Sequence, residues 1–264
     1  MEWQDEGIVL SSRRHGESAA IVSLLTRGHG RHAGLVRGGM GRRLRGIYQS
    51  GNLVSAAWRA RLEEHLGSFV CELVTNHAAH LLDEPARLAG LSSACALMET
   101  ALPEREPHED IFEDFLTLLH GLEGEGWAET YVRWEVSLLA NLGFGLDLSQ
   151  CAATGAMQDL AFVSPKSARA VSAAAGVSYR DKLLTLPEFL TGSGPHSDTH
   201  SDSGPPSFRD VEQGLALTGF FLRRHVFAPH HRDEPPARVR FIDRLRGMSA
   251  LSGMSGDLEG MGEK

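Results

Sequence analysis

Residues 27–46 read RGHGRHAGLVRGGMGRRLRG, and the N-terminal fold turns on what this stretch becomes. His32 to Arg37 has the composition of a short strand. Gly38-Gly39-Met40-Gly41 behind it cannot be helix interior, because glycine there gives up too much backbone entropy. Arginines are therefore expected at a strand's end and on a flexible loop. Arg27, Arg31, Arg37, Arg42, Arg43 and Arg45 give the stretch six positive charges and it holds no acid, in a chain of net charge -8. A guanidinium stays charged at any working pH and offers a fork of donors to phosphate oxygens. The stretch is expected to face a polyanion; a solvated loop with no partner is the alternative.

Working outward, residues 7–74 read as five short strands with turn chemistry between them. They are Gly7–Ser11, Ala20–Thr26, His32–Arg37, Leu53–Arg61 and Leu66–Val74, with Phe69, Cys71 and Leu73 on one face by period two. Five short strands in about seventy residues suit a small Greek-key barrel of the OB type. Such barrels hold single strands by a basic groove with aromatic platforms for bases. Tyr48, Trp58 and Phe69 are the available platforms. Phe69 is assigned to the core, and Trp58, beside Arg59 and Arg61, is taken as a base contact, with a core tryptophan as its alternative.

From Thr75 the pattern turns helical. Pro85 opens an apolar 3–4 repeat up to Leu102, Ile111 to Leu122 forms a second stripe, and Trp127 to Leu142 a third that stops at Gly143. Residues 143–190 are less regular, with a possible short helix at Lys166–Ala175. Residues 191–207, TGSGPHSDTHSDSGPPS, hold nothing to anchor a core and are expected to be disordered. A last helix is predicted over Phe208–Phe227. The expected organisation is α+β: an OB-fold at 1–78, an α-helical domain at 79–246 with the insert at 191–207, and a flexible tail at 247–264.

Charge follows this division. Residues 1–80 carry ten arginines against seven acids, and residues 81–264 carry sixteen Lys+Arg against twenty-seven acids. Only the first part looks built for nucleic acid. No apolar run reaches the length needed to span a bilayer, and the N-terminus lacks the pattern of a signal peptide; a cytoplasmic, nucleoid-associated protein is expected. Phosphate-binding and dinucleotide-binding glycine motifs are absent, and the thirteen histidines are scattered, so no enzyme and no cofactor are expected. Cys71, Cys95 and Cys151 lie far apart and read as apolar core residues.

Taken in order, Asp5 to Leu10, Arg14 to Ser18, Leu25-Thr26 with Gly30-Arg31, the Arg37-Gly38-Gly39 turn, Leu142 to Leu148 ahead of Cys151, Phe162 to Ser167 and Leu217 to His225 closely resemble the RecO family of bacterial recombination mediators. The resemblance covers nearly the whole chain outside the insert and tail. It implies an OB-fold joined to a helical domain, without catalysis, that binds single- and double-stranded DNA and anneals complementary strands. It further implies binding of the acidic C-terminal tail of the single-stranded-DNA-binding protein, action with RecR, and help in loading RecA. Many members carry a four-cysteine zinc site beginning where Cys151 stands. Thr154 occupies the second cysteine's place here and no further pair follows, and one thiolate cannot build a tetrahedral site, so no zinc is expected.

The residues expected to contact DNA are Arg13, Arg14, Arg31, Arg37, Arg42, Arg43, Arg45, Trp58 and Arg59. For the partner's tail, an acidic peptide ending in an apolar residue needs a cation beside a greasy groove, which Phe220, Phe221, Arg223 and Arg224 offer; a basic helix end that only complements the dipole is the alternative. The competing function is that of a non-catalytic adaptor whose basic loop contacts RNA or an acidic protein.

Overall fold

The computed structural model describes residues 1–191 and 207–259, with side chains to residue 248. The expected disorder at 191–207 falls almost wholly outside the described residues. Two compact units are present: Met1–Glu125 with Pro235–Arg238, and Gly126–Glu234 with the chain from Val239 onward. The first unit thus runs on past residue 78.

Its centre is a closed barrel of β1 (Glu2–His15), β2 (Ala19–Thr26), β3 (Gly30–Val36), β4 (Leu53–Arg59) and β5 (Ser68–Thr75), in the order β1-β2-β3-β5-β4. β1 is far longer than the Gly7–Ser11 segment that alternation alone marks. Glu2–Ile8 pairs with β4 and Gly7–His15 with β2, and the register slips between Val9 and Ser11. A strand serving two neighbours must bend, and a bulge supplies the bend that closure requires. The seam is narrow: β3 meets β5 through the parallel pair Leu35↔Ser68, backed by the Leu35 N–H donating to Gly67 O at 3.0 Å.

Val9, Ala20, Val22, Leu24, Val54 and Ala56 alternate into the barrel. Phe69 lies so close over Gly34 that a Cβ at residue 34 would collide with its ring. Leu73, expected to share the face of Phe69 and Cys71, is 40% exposed; the β4–β5 ladder slips at Leu53/Val54, beside its partner.

His32 sits in this core at 4% exposure. Its ring stands edge-on to Trp58 at 4.7 Å, Trp3 at 5.2 Å and Phe69 at 6.1 Å. Neither ring nitrogen has a hydrogen-bond partner among the described residues. Burial, aided by the Arg105 and His29 charges, pushes its pKa down to about 4. In the unfolded chain the imidazole titrates near its ordinary value, so below about pH 6.5 the unfolded state binds the extra proton. Stability is therefore lost as pH falls from about 6.5 to about 4, by on the order of 3 kcal/mol from this residue. Urea unfolding of wild type and His32→Leu at pH 7 and pH 4.5 checks this: the acid-induced drop should be smaller in the variant.

Around the barrel pack α1 (Arg42–Arg45), α2 (His77–His80), α3 (Pro85–Ala101) and α4 (Glu109–Gly121). Leu91 of α3 fills the space beside Gly51, and Cys95 lies against Val9 O at 3.8 Å. The β2–β3 turn comes so close to the chain between α3 and α4 that Gly30, at φ 66°, has no room for a Cβ against the Glu106 backbone.

In the second unit α5 (Trp127–Asn141) packs on α7 (Phe208–Phe221). Val132 occupies the space above Gly214, and buried Glu135 accepts from Thr218 Oγ1 at 2.5 Å. α7 begins with a capping box between Ser207 and Asp210 and passes at Leu222–Phe227 into a π-helical turn. It is not the last helix. α8 runs from Pro236 to Glu259, with Phe241 against Tyr131 at 4.6 Å; most of the segment expected as a flexible tail, 247–264, lies on this helix, and 260–264 lie outside the described residues. Residues 143–190 hold a small sheet, β7–β6–β8, of β6 (Leu160–Val163), β7 (Ala170–Ser172) and β8 (Leu184–Thr185), and a one-turn α6 (Ala173–Gly176). The helix expected over Lys166–Ala175 is thus mostly strand and turn.

Candidate nucleic-acid interface

Register places the basic residues. Arg14 lies across from Ala20 and Ala20 from Val36; Arg13 lies across from Ile21 and Ile21 from Leu35. The β1–β2 turn and the end of β3 therefore share one end of the barrel. The Met40 N–H donates to Ser18 O at 3.1 Å, drawing the glycine segment onto the same turn. Arg42, Arg43 and Arg45 follow on α1, a single helical turn where a flexible loop was expected. Gly41 provides an extended N-cap, and the Leu44 and Arg45 N–H groups donate to Gly41 O at 3.1 and 2.9 Å. Asn52 holds the far end of this turn, donating to Gly46 O at 2.9 Å and Ile47 O at 3.2 Å.

Arg13, Arg37, Arg42, Arg43 and Arg45 are exposed and make no ion pair or side-chain hydrogen bond among the described residues. Arg14 is exposed but braces its own turn, donating to Gly16 O at 3.2 Å and Glu17 O at 3.0 Å. Between residues 13 and 61 the single acid is Glu17. This end is a strongly cationic surface, with Glu17 as its one carboxylate.

The other end of β3 is neutralised. Arg31, only 13% exposed, donates to Leu102 O at 3.0 Å and pairs with Glu104 at 3.3 Å and Glu99 at 3.7 Å. Arg27 pairs with Glu6 at 3.0 Å and with Glu113, its guanidinium 4.6 Å above the Phe112 ring. Arg31 thus leaves the DNA-contact set: the acids of α3 and the chain after it hold it inside the unit. Arg37 lies six residue steps farther along the chain, about 20 Å away.

Two further assignments change. Trp58 is 2% exposed and donates its indole N–H to Leu66 O at 3.1 Å; it stacks on Trp3 at 5.6 Å. It is a core residue, with Tyr48 and Phe69, and cannot stack on a base. Arg59 points outward but is paired with Glu2 at 2.5 Å, and this guanidinium holds the Glu2 carboxyl below the usual carboxylate range.

Of the residues expected to meet the partner's tail, Phe221 is 1% exposed and belongs to the core. Arg223 pairs with Glu234 at 2.9 Å. Arg224 donates to Pro165 O at 2.8 Å and lies 6.0 Å from the half-buried Phe220 ring. Phe144, 38% exposed, stacks on His225, the residue after Arg224, at 5.0 Å, an apolar element that spacing along the sequence does not reveal. Cys151 is a free buried thiol. No helix among the described residues is long and apolar enough to cross a membrane.

A closed OB-type barrel with one open arginine end, followed by an α-helical region, defines the class. Residues 1–76 match the family model described as recombination protein O N terminal, and residues 82–234 match recombination protein O C terminal. The chain belongs to the RecO family. It is 54% identical over 257 residues to a protein named DNA repair protein RecO from Rhodospirillum centenum, covering 97% of this chain and 99% of that one. It is 52% identical to the one from Rhodospirillum rubrum, at 95% and 98% coverage, and 48% identical to the one from Mesorhizobium japonicum, at 93% and 94%.

Proposed function

We propose that this chain is a non-catalytic mediator of DNA repair and recombination. It binds single- and double-stranded DNA through the backbone, anneals complementary strands and, with RecR, helps load RecA on coated single strands. The observation that carries this is the cluster of five unpaired guanidiniums at one barrel end, in a chain whose relatives bear the name DNA repair protein. Fixed positive charge, with Tyr48, Trp58 and Phe69 all buried, suits sugar-phosphate contact, and a strand held that way keeps its base edges free for pairing.

Engagement of the single-strand binder's acidic tail falls to the exposed face of Phe220 with Arg224. The testing experiment is annealing of complementary strands, bare and coated with the cognate single-strand binder. Annealing is expected on both, and Arg224→Glu should abolish it on coated strands alone. Failure on bare DNA, with tight binding to structured RNA, would instead favour an RNA adaptor.

A further inference from the structure

We propose that His77, His80 and Glu123 form a binding site for one divalent transition-metal ion, best suited to zinc, joining α2 to the chain that follows α4. The fold assembles them from positions 46 residues apart. Asn76 caps α2, its side chain accepting from the Ala79 N–H at 3.1 Å, and the Ala78 N–H donates to Asn52 Oδ1 at 3.3 Å. So anchored, the i, i+3 histidines meet one carboxylate: Glu123 Oε1 stands 3.0 Å from both His77 Nδ1 and His80 Nδ1. One ligand atom from each of the three lies within 4.8 Å of the others.

Ligands about 2.0–2.1 Å from a tetrahedral zinc ion lie about 3.3 Å from one another. The observed N···O separations are within a few tenths of an ångström of that edge. The two histidine nitrogens lie within 4.8 Å of each other, so an ion replacing the two shared hydrogen bonds would draw them together by at most about 1.5 Å. Two imidazoles and a carboxylate are borderline donors that suit zinc, whereas magnesium and calcium select all-oxygen sets. His77 is 1% exposed; its Nε2, on the other side of the ring from the Nδ1 that faces Glu123, has no partner among the described residues and would not be a ligand. His120, an exposed residue, stands edge-on to His77 with ring centroids 5.1 Å apart. His80 and Glu123 are 53% and 35% exposed, so solvent reaches the fourth position. The geometry is independent of Cys151 and of any thiolate.

The test uses the full chain stripped of metal with a chelator. Cobalt(II) titration should saturate at one equivalent with the visible absorption of a tetrahedral site, and zinc should displace it. Zinc should raise the thermal midpoint by about 2–8 °C. Because His77 is buried, the variants used are His80→Ala and Glu123→Gln, both at the surface. Each should weaken cobalt binding at least about 10-fold and remove the thermal shift, while the metal-free midpoint stays close to wild type. No cobalt uptake up to about 100 µM, or uptake unchanged in the double variant, would overturn the proposal.

Discussion

Replacing Arg42 and Arg43 together by glutamate is expected to weaken single-stranded DNA binding on the order of 100-fold at constant salt, by the same factor for every sequence. Both side chains are exposed on α1 and neither has an internal partner among the described residues. At the dielectric of water, a unit charge about 4 Å from a phosphate contributes about 1 kcal/mol. Reversing two such charges removes two attractions and installs two repulsions, about 4 kcal/mol before counter-ions weaken it, which leaves roughly two decades in Kd. Salt dependence gives an independent readout. If Arg13, Arg37, Arg42, Arg43 and Arg45 each meet a phosphate, the log–log slope is about -3.5 on single strands, and the double variant should fall to about -2. Fluorescence anisotropy against oligonucleotides of differing composition measures both. A loss confined to some sequences would contradict backbone holding and point to base readout.

Trp58→Ala is expected to destabilise the barrel by about 3–5 kcal/mol while leaving the DNA affinity of the remaining folded molecules within about two-fold. The ring is 2% exposed and stacks on Trp3, and its N–H satisfies Leu66 O. Truncation would open a cavity among Trp3, His32 and Phe69 and orphan that carbonyl. Trp58→Phe should cost less, since it retains much of the packing. Urea unfolding followed by circular dichroism gives the stability, and anisotropy at low denaturant gives the affinity. A well-folded Trp58→Ala protein that has lost DNA binding would restore the tryptophan as a base platform.

The barrel was legible in the sequence because its strands are short, alternate with period two and end in glycine turns. What local pattern could not show was the extent of β1, whose ends are set by two different partners. The second unit was read less well for a related reason. β6, β7 and β8 have four, three and two residues, too few for periodicity to register. α8 carries Phe241 and Leu245 in its buried stripe but runs on through Gly247, Gly253 and Gly256, which by composition resembles a tail.

The candidate interface was legible as charge but not as arrangement. Nothing within residues 27–46 separates Arg31 from Arg42, since the acids that neutralise Arg27 and Arg31 are Glu99, Glu104 and Glu113, far downstream. Trp58 beside two arginines looks the same on paper whether it faces bases or the core. Strand parity decides it: Arg59 points out, so Trp58 points in.

The seven-residue length of β3 has a bearing on encounter as well as on contact. Its neutralised and cationic ends stand farther apart than the Debye length of about 8 Å at physiological ionic strength, so an arriving polyanion feels each end separately. The barrel carries an electrical polarity along that strand, and on the proposed mode of binding the resulting torque would turn its arginine pole towards the phosphates before the surfaces touch.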